Sequence, residues 1–388
     1  MLLNGAHQSG KSTLILELIG QRKDIPYTTL DDLTSLASAQ ADPMGFLTRF
    51  QSPTVIDEIQ RCPELFLPIK LLVDQDRRPG RFLLTGSANV LLLPQLADSL
   101  SGRMEIFKLF PLSLGEWAQK KGGLVDVLLS RDPQIPKATS LYSVQEIREQ
   151  ALRGGYPEVQ LREAPDRRTS WFQSYITTLL QRDVRDLAHI EDLTRLPFLL
   201  SLLAARSGSL LNLAELARTS GIPGASLNRY FTLLETLFLV HRIPAWSNNR
   251  SKKLVKSPKI YLNDTGVLCH LLKVDKTALE TDGHVWGKVL ETFVACELLK
   301  QASWHPLFPK LYHYRTATGQ EVDFILEAPQ GHIIGIEVKA SSHVSAEDFK
   351  HLKSLAAEEG KKFLRGIVLY FGRETLPFGN HLYAVPFF

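Results

Sequence analysis

Gly5-Ala-His-Gln-Ser-Gly10-Lys11-Ser12 fits the pattern G-x-x-x-x-G-K-[ST]. Such a loop works only between a buried strand and the start of a helix. Its glycines let the backbone curl so that successive N–H groups point at one anion. The lysine adds a point charge for the β/γ-phosphates, and the Ser12 hydroxyl can ligate Mg²⁺. The helix that follows turns its positive end to the same anion. Both flanks are present: Met1–Leu3 is a short apolar stub, and Ser12–Ile19 carries apolar residues at helical spacing. Gly5, Gly10, Lys11, Ser12 and Thr13 are therefore candidate phosphate-binding residues.

The rest of the first third agrees. Pro26–Leu30, Thr54–Ile56 and Arg81–Leu84 read as strands, and Leu65–Val73 reads as a helix. Alternation of this kind predicts an α/β class with a parallel sheet covered by helices. The second strand ends in Asp57-Glu58. The first carboxylate is placed to hold Mg²⁺ and the second to polarise an attacking water. The third strand ends in small polar residues, and Thr85, Ser87 and Asn89 are candidates for orienting the water or a γ-phosphate. Arg103 is a candidate arginine finger reaching a neighbouring subunit, with a structural surface arginine as the alternative. ATP and Mg²⁺ are the cofactors this set of residues calls for.

Charge narrows the choice of partner. Lys and Arg total 45 and Asp and Glu total 41 in 388 residues, so no global polyanion-binding surface is implied. The excess is local: residues 121–285 hold 22 basic and 17 acidic side chains, densest at Arg250, Lys252, Lys253, Lys256 and Lys259. The three cysteines, Cys62, Cys269 and Cys296, are not spaced for zinc, and a reduced cytoplasmic protein is expected. No apolar run reaches the ~18 residues of a membrane span, so no membrane partner is expected. The eleven histidines do not cluster at metal spacing.

The middle reads as mostly helical, with runs at Trp171–Leu187 and Leu193–Ala205. The stretch Leu210–Glu235 is a helix–turn–helix pattern. Asn212 is placed to cap the first helix, and Gly221-Ile-Pro-Gly224 supplies the turn. Phe238–Ile243 and Lys259–Leu262 read as a hairpin, with the basic loop Asn248–Lys259 as a wing. One reading is DNA contact, with Asn228 and Arg229 on the recognition helix and Arg250, Lys252 and Lys253 on phosphates. The other is a winged-helix lid or protein-contact module with a solvated basic loop.

The last third returns to strands at Lys310–Tyr314, Glu321–Leu326, Ile333–Val338 and Gly366–Tyr370, with a helix at Ala346–Glu358. Thirteen residues separate Asp323 from Glu337-Val-Lys339, a D-x13-E-x-K pattern on two consecutive strands. Side chains at i and i+2 share a strand face, so Glu337 and Lys339 are expected together and Asp323 across a hairpin. Two carboxylates can hold a divalent metal, and the lysine can activate a water for phosphodiester attack. Glu291, in the helical run Val285–Lys300, could add a ligand. The alternative is a retained scaffold in which Glu337 and Lys339 form a salt bridge. The pattern resembles the PD-(D/E)xK restriction-endonuclease-like superfamily.

Three runs carry a wider resemblance: Ile56-Asp57-Glu58-Ile59-Gln60-Arg61, Arg77–Asn89 and Leu109-Phe110-Pro111-Leu112-Ser113. With Gly154-Gly155-Tyr156-Pro157-Glu158 and the final third, they resemble prokaryotic AAA-like P-loop ATPases whose C-terminal half is domain of unknown function 4143. The resemblance covers nearly the whole chain. It implies an ATPase core over 1–121, a helical and winged-helix region over 139–283, and a nuclease-like domain over 284–388. Gly122–Ala138 is the expected linker. AAA relatives often work as rings, which makes a homo-oligomer an expectation. Members usually carry a further helix and a full first strand before the phosphate loop, whereas four residues precede Gly5 here. That departure bears on the adenine pocket and on the stability of the first strand. The expected activity is Mg²⁺-dependent ATP hydrolysis coupled to a partner, with DNA the leading candidate. The alternatives are an ATP-gated DNA endonuclease and a nucleotide-dependent protein-interaction module.

Overall fold

The computed structural model describes residues 1–20, 24–50, 53–88, 102–120, 122–130, 142–183, 194–247 and 256–387. The chain divides into two compact units. The first comprises Met1–Pro111, Tyr175–Thr194 and Asn228–Leu239; the second comprises Leu112–Ser174, Arg195–Leu227 and Val240–Phe388.

The first unit is built on five strands: β1 (Leu2–Gly5), β2 (Tyr27–Thr29), β3 (Thr54–Asp57), β4 (Phe82–Gly86) and β5 (Ile106–Leu109). They lie in the order β2-β3-β4-β1-β5, and every pairing is parallel. Strand alternation sends neighbouring residues to opposite faces, and a parallel sheet must bury both. Leu2, Ile56 and Leu84 join a cluster with Phe66, Ile69 and Leu72 from the helix Phe66–Gln75. Leu3 and Val55 face the other way and pack on Ile15 of helix α1 (Lys11–Ile19). Ile15 is the sole buried apolar residue of α1, and fully burying such a side chain contributes about 1.5–3 kcal/mol. An Asp at position 15 would remove the anchor of that helix. β1 is short, but it is an interior strand, bonded to β4 on one side and to the edge strand β5 on the other.

The second unit contains a six-stranded mixed sheet in the order β12-β13-β11-β10-β9-β8. The strands are β8 (Lys310–Arg315), β9 (Glu321–Glu327), β10 (Ile333–Val338), β11 (Phe363–Tyr370), β12 (Leu376–Gly379) and β13 (Leu382–Pro386). β8, β9 and β10 form an antiparallel meander, whereas β10, β11 and β13 run parallel. Leu352 and Leu355 of the helix Lys350–Glu359 seal one face over Val322, Ile325 and Val368. Two separate strands, β6 (Val240–Ile243) and β7 (Lys259–Leu262), pair antiparallel as the hairpin pattern predicts. Asn212 caps the helix Leu213–Ser220 by accepting from Glu215 N at 3.1 Å.

Part of the expected linker is built into the fold. Leu124–Leu128 is a helix with Val125 and Leu128 buried, and Val125 N donates to Gln301 Oε1 at 3.0 Å. The turn chemistry of Gly154-Gly155 also has a packing reason. Gly154 has φ +70°, and a Cβ there would lie 2.1 Å from the carboxylate of buried Asp264, which accepts from Gly155 N at 2.6 Å. All three cysteines are buried free thiols. Among the described residues no helix is long and apolar enough to cross a membrane.

Candidate functional site

The phosphate loop leaves the end of β1 and enters α1. Gly5 is required by close approach, because a Cβ there would sit 2.1 Å from the Leu109 carbonyl of β5. Gly10 caps α1 with φ 96°, a left-handed conformation that side chains disfavour. Lys11 is buried, and its ammonium donates to the carbonyls of Gly5 (3.1 Å) and Ala6 (2.8 Å), so it is held within the loop. Thr13 follows on the exposed face of α1.

Parallel register brings β3 and β4 to the same end of the sheet. Asp57, the last residue of β3, accepts from Ser12 Oγ at 2.9 Å and from Tyr27 Oη at 2.6 Å on the same oxygen. Its other oxygen accepts from Thr85 Oγ1. The Thr85 hydroxyl in turn accepts from Glu58 N at 3.0 Å. Glu58 stands in the left-handed region with φ 57°. Its carboxylate accepts from Gln60 Nε2, which also donates to Ser87 Oγ at 2.9 Å. Tyr27 titrates well above its ordinary range, first through burial and then through its bond to Asp57.

Of the residues expected here, Gly5, Gly10, Lys11, Ser12, Asp57, Glu58, Thr85 and Ser87 converge. Asn89 lies outside the described residues. Tyr27 and Gln60 were not singled out as site residues by sequence: Tyr27 reaches the site from outside the motifs, and Gln60, although within the quoted run Ile56–Arg61, was given no role there. Arg103 precedes β5, at the end of the parallel sheet away from the loop. It donates to Asp74 at 2.7 Å, so it has no place beside the phosphate loop of its own unit. The donor set suits Mg²⁺-nucleotide: a hydroxyl and a carboxylate oxygen 2.9 Å apart, beside a buried ammonium and a helix start.

The second constellation lies between the helix Gly283–Trp304, β7 and β9–β10 of the second unit. Asp323 accepts from Val338 N at 2.9 Å, and Glu337 shares a hydrogen bond with Asp323. Both carboxyls are raised, by burial first. For Glu337 the next cause is the Asp323 charge, and for Asp323 it is Glu291. Glu291 accepts from Tyr261 Oη at 2.6 Å and from Lys259 Nζ at 3.0 Å. Lys259 also pairs with Glu321 at 2.8 Å, and Arg315 pairs with Glu321 at 3.0 Å.

One expectation is corrected here. Lys259 is no part of an exposed basic wing; it is 3% exposed. Burial alone would lower its pKa, but Glu291, Asp323 and Glu321 reverse that and hold it charged. Lys339 directly follows β10, and its N–H continues the pairing with β11 by donating to Leu369 O at 2.8 Å; its charge acts on Glu337, while its ammonium pairs with Asp348 at 3.4 Å. Among the described residues no group of three or more His, Cys, Asp or Glu side chains is placed to hold a metal ion. The Asp323–Glu337 set does not fit a divalent cation as it stands, because the two carboxyls are bonded to each other and the buried ammonium beside them, Lys259, pairs with Glu291 and Glu321. Asn228 and Arg229 are exposed on the helix Gly224–Thr236, whereas Arg250, Lys252 and Lys253 lie outside the described residues.

A parallel sheet with a glycine loop, lysine clamp and paired carboxylates at its strand ends defines an AAA-type P-loop nucleotide-binding protein. Residues 1–118 match the AAA domain family. Residues 144–278 match a domain of unknown function (DUF8612), and residues 286–388 match another (DUF4143). The uncharacterized protein Rv2008c of Mycobacterium tuberculosis is 31% identical over 388 residues, 100% of this chain and 79% of that protein. An uncharacterized protein of Haemophilus influenzae is 24% identical over 322 residues, 77% of this chain and 74% of that protein. The chain belongs to the family of AAA-domain proteins that end in domain of unknown function 4143. Among solved structures, the Holliday junction branch migration motor RuvB of Thermotoga maritima matches 63% of this chain and 81% of its own. The TM-score is 0.30 and the identity 19%.

Proposed function

We propose that this protein is a Mg²⁺-dependent ATPase that couples nucleotide state to a partner held by its C-terminal half. The observation that carries the reading is the 2.9 Å bond between Ser12 Oγ and Asp57 Oδ2. It joins residues 45 positions apart into one ligand set beside Lys11 and Glu58. Bound Mg²⁺ would neutralise phosphate charge and orient the terminal phosphoryl group. Lys11 turns from the loop carbonyls to the β/γ-phosphates. Glu58, anchored at its N–H by Thr85, takes the proton of the attacking water. Gln60 and Ser87 hold that carboxylate in place until nucleotide arrives.

For residues 139–283 we read a helical and winged-helix region, and for 284–388 a nuclease-like domain whose carboxylate cluster is neutralised from within. That favours a binding role over cleavage. DNA is the leading partner because the charge excess of the chain falls in this region. Arg103 lies at the far end of its own sheet, which supports reading it as a residue that serves a neighbouring copy in a homo-oligomer.

The test is steady-state ATP hydrolysis by wild type and Lys11→Ala, each with and without double- and single-stranded DNA. Wild-type turnover that is lost in the variant and raised by DNA is expected. Turnover indifferent to DNA retains the ATPase and replaces DNA by a protein partner. Equal turnover in both proteins, or none in either, overturns the reading.

A further inference from the structure

A cavity of about 500 Å³ opens between the helices Val144–Arg153, Pro165–Thr178 and Thr265–Leu272 of the second unit. It lies inside the region matched by the domain of unknown function DUF8612. Two guanidinium groups line it, and neither makes an ion pair with a carboxylate among the described residues. Arg153 is the last residue of its helix. Arg168 is fixed from behind: its Nη1 donates to the carbonyls of Arg162 (3.1 Å) and Glu163 (2.7 Å). Those bonds orient the guanidinium while spending one nitrogen of three. Two acidic residues stand at the rim with a third cation, Lys276, and the Glu149 charge only partly offsets that of Arg168. Glu149 pairs with Lys276 at 3.4 Å, and Asp275 caps its own helix by accepting from Ala278 N.

Two half-buried like charges facing one cavity repel, and a bound anion removes that cost. Burial, then the charge of Arg153, draws the Arg168 guanidinium below its ordinary value, which reports the same crowding. The floor is of another character. Phe172 and Cys269 are buried there, and the Phe172 ring lies 5.8 Å from that of His270, which burial holds toward its neutral form. An inorganic phosphate would leave this floor bare, and the volume falls in the ~300–1,000 Å³ range of small-molecule sites.

We propose that this cavity binds a small organic phosphate, its anionic head held between Arg153 and Arg168 and its flat apolar body laid on Phe172. The pairing resembles a fork grasping two oxygens, the geometry for which arginine is suited.

The experiment is calorimetric titration of the full chain with phenyl phosphate, inorganic phosphate and phenol. Phenyl phosphate should saturate one site and bind at least tenfold more tightly than inorganic phosphate, with phenol not saturating. Arg168→Gln should weaken phenyl phosphate at least tenfold, the factor expected from one charge-assisted contact. Arg153→Gln should do the same, and it disturbs no side-chain bond of the fold. Lys11→Ala should leave the affinity unchanged, which separates this cavity from the phosphate loop. The proposal fails if wild type shows no saturable binding or if both arginine variants bind as wild type does. It also fails if phenol or inorganic phosphate matches phenyl phosphate, or if Lys11→Ala abolishes binding.

Discussion

Lys259 Nζ lies 3.0 Å from Glu291 Oε1, and the two residues reach one buried point from a strand and a helix. The ammonium stands where a carboxylate cluster of this kind would otherwise call for an external cation. Removing one partner of a buried pair leaves the other uncompensated, at a cost of about 3–5 kcal/mol. Lys259→Met should therefore lower unfolding stability by about that much in denaturant titration. Glu291→Gln added to it should recover part of the loss. A single variant within 1 kcal/mol of wild type would show that the ammonium is not the counter-charge.

Glu58 is read as the base that receives the proton of water. Glu58→Gln keeps the size of the side chain and its place beside Gln60. Nucleotide binding should persist, while turnover falls at least a hundredfold, the lower bound of ~10²–10⁴ for a positioned base. Fluorescent-nucleotide binding alongside hydrolysis checks both halves, and retained turnover would move the role to another residue.

Tyr27 touches the nucleotide site only through Asp57. Tyr27→Phe removes a 2.6 Å bond and should raise the Mg²⁺ concentration needed for half-maximal hydrolysis. Turnover at saturating Mg²⁺ should stay within about threefold, since no reacting atom is touched. A fall in saturated turnover with no change in Mg²⁺ dependence would contradict this positioning role.

Arg103 and Lys11 occupy opposite ends of one sheet. If Arg103 completes the site of a neighbouring copy, Arg103→Ala and Lys11→Ala should each be inactive alone. Mixed, they should regain part of the wild-type rate, because some interfaces then pair an intact loop with an intact arginine. Additive, inactive mixtures would return Arg103 to its bond with Asp74 as a structural residue.

His313 is fully buried, and its Nε2 lies 3.0 Å from the Ser257 carbonyl. Burial lowers its pKa to about 4 from the ordinary 6.5. The unfolded chain therefore binds more protons between those values, so stability rises with pH across that window and is lost as pH falls through it. The effect amounts to about 3 kcal/mol for a shift of this size. His313→Gln should flatten unfolding free energy between about pH 4 and 6.5; an unchanged acid limb would assign the dependence to other groups.

How far the sequence could be read followed from how local each feature is. Gly5, Gly10, Lys11 and Ser12 act within eight residues, so their spacing alone announced the loop. Asp57 and Glu58 were legible because a buried strand ending in carboxylates has few other uses. Choosing among Thr85, Ser87 and Asn89 required strand register, which places the Thr85 hydroxyl between Asp57 and the Glu58 N–H. Lys259 was misread for the same physical reason. In sequence it continues a run of exposed basic residues. In the fold its strand turns it inward to carboxylates that are 32 and 62 positions further on. Charge pattern reports composition, whereas burial is decided by partners that local spacing does not reveal.

The interior position of β1 has a consequence for how the chain is made. Leu2 pairs with Leu84 on one side and Ile106 on the other. At about 5–20 residues per second, a ribosome would deliver those partners several seconds to some twenty seconds after the strand itself. The phosphate loop is thus among the first segments synthesised and among the last to acquire its shape. A nascent chain halted before β4 has emerged holds the phosphate loop entire, yet the strand that carries the loop has neither of its neighbours to pair with.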